Sequence, residues 1–217
     1  MVLSRGEILE RMEKFGVNHP RSLVITPLFY KNPKDVFDAD SVDLRLGCYF
    51  LLPKVLDQPY FSPDRSSATS LHTRIHVPLG HFLVVPAHQT VLGATLEFIK
   101  LPSDVSGEVL TKSSVARTFI VVETAPWIHP LYRGCLTLEI ANVSNTPVLL
   151  YPGRSMCQLV LMHVSGDNGG GKPDPNYFGP VYPEAPKFKN PDEDLRKLGV
   201  TKVAGFRQVM LGGKKRN

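Results

Sequence analysis

The chain has 217 residues, 42% hydrophobic and 21% charged, with a formal net charge of +5 and a mean hydropathy of −0.07. This composition suits one good-sized globular domain and is short for two. It excludes disordered, collagen-like and coiled-coil chains, and no run approaches the ~18 apolar residues of a membrane helix.

At the N-terminus, Met1 to Glu7 contains no apolar segment and no small-residue cleavage site, so no secretory signal is expected. Ser4-Arg5-Gly6-Glu7 has capping-box spacing, and Ile8, Leu9, Met12 and Phe15 then share one helical face. The spacing predicts a short amphipathic helix over residues 5–15, with Gly16 as its C-cap. Prolines at 20, 27 and 33 stop any further helix. From about residue 42 the pattern turns to short strands. They are expected around Asp43–Leu46, Phe82–Val85, Val91–Leu96, Phe119–Val122, Cys135–Ile140, Val148–Tyr151 and Gln158–Met162. Pro and Gly punctuate them and no helical pattern intervenes, which predicts an antiparallel sandwich or barrel rather than βαβ units. Residues 166–191 are rich in Gly and Pro and are expected to form a flexible arm. Asp192–Leu198 has the pattern of a last helical turn. Lys214-Lys215-Arg216 supplies three of the excess positive charges and reads as a solvated end, so nucleic acid is not the expected partner.

The cysteines, Cys48, Cys135 and Cys157, are odd in number and far apart, which argues against a disulfide framework and for a reducing, cytoplasmic setting. The seven histidines show no H-E-x-x-H spacing and no H-x-E followed by a Cys pair, so no zinc site is expected. P-loop, Rossmann and hydrolase-elbow motifs are absent. Two features can carry chemistry. Lys112-Ser113-Ser114-Val115-Ala116-Arg117 gathers two cations and two hydroxyls between apolar strands, a donor set suited to phosphate or equally to a solvated turn. In Leu136-Thr137-Leu138-Glu139-Ile140, Thr137 and Glu139 share the face opposite the three apolar residues. If that face lines a cleft, Glu139 is placed for general acid–base work; if it faces water, it is a solvated surface residue.

Taken in order, Ser41-Val42-Asp43-Leu44-Arg45-Leu46-Gly47, Lys112–Arg117, Thr124-Ala125 with Ile128–Gly134, Leu136–Glu139, Tyr151-Pro152-Gly153 and Gln158-Leu159 resemble the blocks of the dCTP deaminase family within the trimeric dUTPase superfamily. The resemblance spans about residues 3–180. It implies a mainly β fold, a distorted jelly roll or β-clip barrel of the dUTPase-like type, with a short N-terminal helix and a flexible C-terminal arm. Residues 1–186 would form one domain and 187–217 an extension of unassigned role. It also implies a homotrimer with sites between subunits, acting on a deoxycytidine nucleotide without a protein-bound metal. By this resemblance Glu139 is the general base, and Ser113 and Arg117 position the water and stabilise charge. Thr124 and Ala125 read the base edge and Tyr132 packs on the deoxyribose. Lys112, Ser113, Ser114 and Gln158 hold the phosphates, which Mg²⁺ bridges.

Three departures stand out. His129, beside the sugar site, replaces the family's Asp; the stretch between Arg117 and Thr124 is one residue short; and the C-terminal clamp that would bring Tyr177 to the nucleotide keeps only Asn176-Tyr177-Phe178-Gly179-Pro180. The expected activity is metal-free deamination of dCTP to dUTP and ammonia. The alternatives are a dUTP diphosphatase or bifunctional enzyme, and a nucleotide-binding regulator without turnover.

Overall fold

The computed structural model describes residues 1–28, 36–55, 71–166 and 179–187. The chain divides into two units, Met1–Lys54 with His72–Ala185 and Val55–Leu71 with Pro186–Asn217. The second lies almost wholly outside the described residues, as do Tyr177, Asp192–Leu198 and the basic tail, so the architecture is that of the first.

Helix α1 spans Arg5–Lys14 and opens on the expected capping box. The Glu7 N–H donates to Ser4 Oγ at 3.4 Å, and the Ser4 N–H donates to Glu7 Oε2 at 2.9 Å. Its end differs from the expectation. Phe15 is the C-cap in extended conformation, and its ring stacks on His19 at 4.4 Å, so Gly16 is not the cap. Stacking of Phe15 takes the chain out of the helix one residue earlier than a glycine cap would.

Twelve strands follow among the described residues: β1 Val24–Thr26, β2 Ser41–Arg45, β3 Tyr49–Pro53, β4 His72–His76, β5 Leu83–Val85, β6 Thr90–Lys100, β7 Val105–Thr111, β8 Ile120–Val122, β9 Trp127–Ile128, β10 Arg133–Asn142, β11 Val148–Leu150 and β12 Ser155–His163. One sheet runs β4-β3-β6-β10-β8 with β1 added on β6, a second runs β2-β12-β7-β9, and β5 pairs with β11. All named pairings are antiparallel, as expected. Strand begins earlier than residue 42, because β1 pairs Val24 with Lys100 and Thr26 with Phe98. The first three residues also pair with β12, through an isolated bridge between Val2 and Met162. Past the end of β2, Leu3 donates to the Leu161 carbonyl at 2.8 Å and His163 donates to the Met1 carbonyl at 2.9 Å.

Alternation fills the core. Val42 and Leu44 of β2, Leu138 and Ile140 of β10, and Leu159 and Leu161 of β12 are fully buried and meet in one apolar cluster. One charged pair lies within it. Glu97 on β6 is fully buried and takes the Arg45 Nε at 2.6 Å and the Arg45 backbone N–H at 2.8 Å, while Arg45 Nη2 donates to the Pro27 carbonyl at 2.8 Å. These bonds tie β2 and the segment after β1 to β6. Burial outweighs them and raises the Glu97 carboxyl above its ordinary range.

Arg45→Met strands that carboxylate and should cost about 3–5 kcal/mol at neutral pH in urea unfolding. The folded chain then holds a proton that the unfolded chain has lost, across the window from the ordinary Glu range up to the raised value. Stability therefore falls as pH rises through that window. The deficit of Arg45→Met should shrink on acidification, as protonation removes the unpaired charge.

Candidate active site

Strand β10 carries Glu139 opposite Leu92 of β6, and on its other edge the Glu123 N–H donates to the Glu139 carbonyl at 2.8 Å. Bonds on both edges hold the backbone and leave the side chain on the Thr137 face. There Glu139 is half-buried, and its Oε2 is a buried oxygen with no hydrogen-bond partner. A buried carboxylate oxygen with no donor among the described residues can accept a hydrogen bond from a group outside them. Thr124 joins it: its hydroxyl donates to the Thr137 carbonyl at 2.7 Å, which seats Thr124 and the exposed Ala125 beside β10.

The Lys112–Arg117 cluster starts where β7 ends. The Thr111 hydroxyl donates to the Val122 carbonyl at 3.1 Å and accepts the Val122 N–H at 3.0 Å, replacing a backbone ladder with a side chain. One helical turn follows, α2 Ser113–Ala116, with Lys112 as its N-cap and the Arg117 N–H on the Ser113 carbonyl. Ser113, Ser114 and Arg117 are exposed, and among the described residues their side chains have no hydrogen-bond partner. Lys112 does have one: its ammonium is ion-paired with Asp43 of β2. Asp43 lies opposite Gln158 of β12, so Lys112, Asp43 and Gln158 converge on the outer face of that sheet. Asp43 was quoted above in a motif and given no role; its partner is 69 residues away in sequence.

Tyr132 is largely buried and its hydroxyl donates to the Cys135 carbonyl at 2.9 Å. Burial pushes its phenol far up, with added effect from Cys135 and Glu184, so it stays neutral. That bond spends the hydroxyl and leaves the ring for packing. His129 is exposed, and its carbonyl takes the Tyr132 N–H at 3.3 Å. Among the described residues no hydrogen bond joins Ser113 or Arg117 to Glu139.

The described part of the Gly/Pro-rich stretch runs along β10. Gly179 donates to the Arg133 carbonyl at 2.7 Å, the Cys135 N–H donates to the Pro180 carbonyl at 2.7 Å, and the Glu184 N–H donates to Thr137 Oγ1 at 3.0 Å. Tyr182 packs edge-on against Tyr49 at 4.6 Å, with the Arg74 guanidinium 5.5 Å from its ring centre. Gly134 permits this: its φ is +144°, and a Cβ there would lie 2.4 Å from Pro180 Cδ.

Residues 2–164 match the family described as dCTP deaminase-like. A Dictyoglomus turgidum protein named "dCTP deaminase, dUMP-forming" is 36% identical over 160 residues, 73% of this chain and 78% of that protein. One of the same name from Methanobrevibacter smithii is 34% identical over 202 residues, 90% of this chain and 99% of that protein. A Halorubrum lacusprofundi "dCTP deaminase" is 33% identical over 162 residues, 74% of this chain and 76% of that protein. The crystal structure of the 2′-deoxycytidine 5′-triphosphate deaminase from Agrobacterium tumefaciens superimposes with a TM-score of 0.56 at 20% identity. The likeness covers 74% of this chain and 47% of that one, about half its length, and supports the distorted jelly-roll fold.

Gly134→Ala tests the crossing. It forces a Cβ into Pro180 and an L-residue into positive φ, and should cost about 1–3 kcal/mol. Hydrogen exchange at the Cys135 amide should accelerate as residues 179–184 lift away.

Proposed function

The chain belongs to the dCTP deaminase-like family, and on that premise we propose that it is a hydrolase that deaminates dCTP, with Glu139 as general base. The observation that supports Glu139 is its buried, unpartnered Oε2 on the strand face shared with Thr137. In this reading Glu139 takes a proton from a water whose oxygen attacks C4 of the cytosine ring. Glu139 passes that proton to N3 of the ring, then takes the second proton from the new C4 hydroxyl and gives it to the amine. The amine leaves as ammonia as the C4 carbonyl of uracil forms. Ser113 and Arg117 hold the water and stabilise the charge that develops on it. Thr124 and Ala125 face the base edge, and the Tyr132 ring packs on the deoxyribose with His129 beside it. Lys112, Ser113, Ser114 and Gln158 take the phosphates, with Tyr177 in the C-terminal clamp. Ser113 and Arg117 would meet Glu139 across a subunit boundary in a homotrimer. Residues 1–186 would form the catalytic domain, 187–217 its extension, and the enzyme would work in the cytoplasm.

Among the described residues no group of three or more His, Cys, Asp or Glu could hold a metal ion. The donors at Lys112–Ser114 are an ammonium and hydroxyls, a set that fits phosphate oxygens and not a cation. No step is therefore assigned to a protein-held metal, and Mg²⁺ enters as part of the nucleotide.

A second reading has a specific observation behind it. The relatives from Dictyoglomus and Methanobrevibacter are named dUMP-forming, which favours a bifunctional enzyme that also releases diphosphate. Incubating the protein with dCTP, dCMP and dUTP plus Mg²⁺ and separating the products decides between them. From dCTP, dUTP with ammonia marks a deaminase and dUMP with ammonia and diphosphate the bifunctional enzyme; dUMP from dUTP alone marks a diphosphatase, and no product a regulator. Turnover should survive zinc-selective chelation and stop when Mg²⁺ is withdrawn; activity that tracked zinc would refute the scheme.

Glu139→Gln keeps the side chain's size and removes its basicity. kcat should fall by about 10²–10⁴-fold with dCTP binding largely retained in calorimetry. Near-wild-type turnover would make Glu139 a surface residue and end this mechanism.

A further inference from the structure

We propose that Asp43 sets the affinity of the phosphate site, as an internal counter-ion to Lys112 that a nucleotide must compete with. The inference rests on the reading of Lys112 as a phosphate ligand given above. Asp43 and Lys112 are ion-paired, with side chains 20% and 23% exposed. The backbone of each is fixed. Val42 and Leu44 are fully buried on either side of Asp43, and the Asp43 N–H is bound to the Val36 carbonyl at 2.8 Å. The Lys112 backbone N–H donates to the Met156 carbonyl at 3.2 Å. Across β2 and β12, Asp43 sits directly opposite Gln158, the other residue assigned to the phosphates on this sheet. A carboxylate is thus built into the middle of an anion site.

Its charge acts on bound phosphate in two ways. Its oxygen occupies a donor that a phosphate oxygen would use, and its negative charge repels the ligand at a distance where water screens it only in part. Deamination changes the base and leaves the phosphates unaltered, so phosphate binding is uniform along the reaction. Strengthening it would hold the product as firmly as the substrate and would not speed the chemistry. Asp43 keeps that uniform binding weak enough for release.

The test is calorimetry of inorganic triphosphate, dCTP and dUTP on the full chain, wild type against Asp43→Asn, with Asp43→Ser as a second uncharged variant and thermal melting to check folding. Removing the charge should tighten all three ligands by roughly five- to tenfold. KM should fall without a rise in kcat, and inhibition by dUTP should strengthen by the same factor. Asp43→Glu keeps the charge and should bind like wild type. In a Lys112→Ala background the gain from Asp43→Asn should shrink to under twofold, because the competed donor is gone. Weaker or unchanged triphosphate binding in folded Asp43→Asn, or an undiminished gain without Lys112, would overturn the proposal. Triphosphate binding needs no turnover, so a chain that binds as described yet does not deaminate would refute the functional reading and leave Asp43's role standing.

Discussion

Strand β10 is bonded along both edges, to β6 on either side of a bulge at Leu136 and to β8 and residues 179–184 in part. A strand held on both sides cannot slip by one residue without turning Leu136, Leu138 and Ile140 out of the core. That constraint fixes which way Thr137 and Glu139 point, and Thr124, Tyr132 and the crossing segment are arranged around it. Thr124 reaches β10 through the Thr137 carbonyl, Tyr132 through the Cys135 carbonyl, and the crossing segment through Gly134.

Charge is handled differently in the core and at the site. The Arg45–Glu97 pair is saturated with hydrogen bonds and ties three segments together; removing either partner leaves a buried group unsatisfied. The Lys112–Asp43 pair is partly exposed, its side chains 23% and 20% accessible, so water screens it in part. The first is structural cement, while the second can exchange partners. Burial decides which role an ion pair plays.

Sequence patterns expose some of this and hide the rest for physical reasons. Helix α1 is legible because its cap is local, β10 because its apolar residues alternate, and β12 because Leu159-Val160-Leu161-Met162 is a continuous apolar run. β7 is missed because Ser106, Gly107 and Glu108 interrupt its apolar run. β4 is missed because His72-Thr73-Arg74-Ile75-His76 is mostly polar, on the outer strand of its sheet. β9 is only two residues long. At the site, alternation places Glu139 on the face opposite Leu138 and Ile140, but nothing in a linear pattern says that one of its oxygens lacks a partner among the described residues. The Asp43–Lys112 pair depends on β2 and β7 meeting on either side of β12, a tertiary fact. Composition reads residues 179–184 as an arm; three bonds and one glycine conformation lay them along β10.

The pairing of residues 1–3 with the end of β12 has a consequence for solubility. β2 stops at Arg45's partner Ser155 on one side and at Val160 on the other, which would leave Leu161 to His163 with an open row of amides and carbonyls. An unpaired strand end is a template on which another chain can build. Here the chain's own first residues occupy it, with Leu3 fully buried as an anchor. Trimming three residues from this terminus would therefore do more than shorten it: it would uncover an adhesive edge, and the penalty would be aggregation before any loss of the fold.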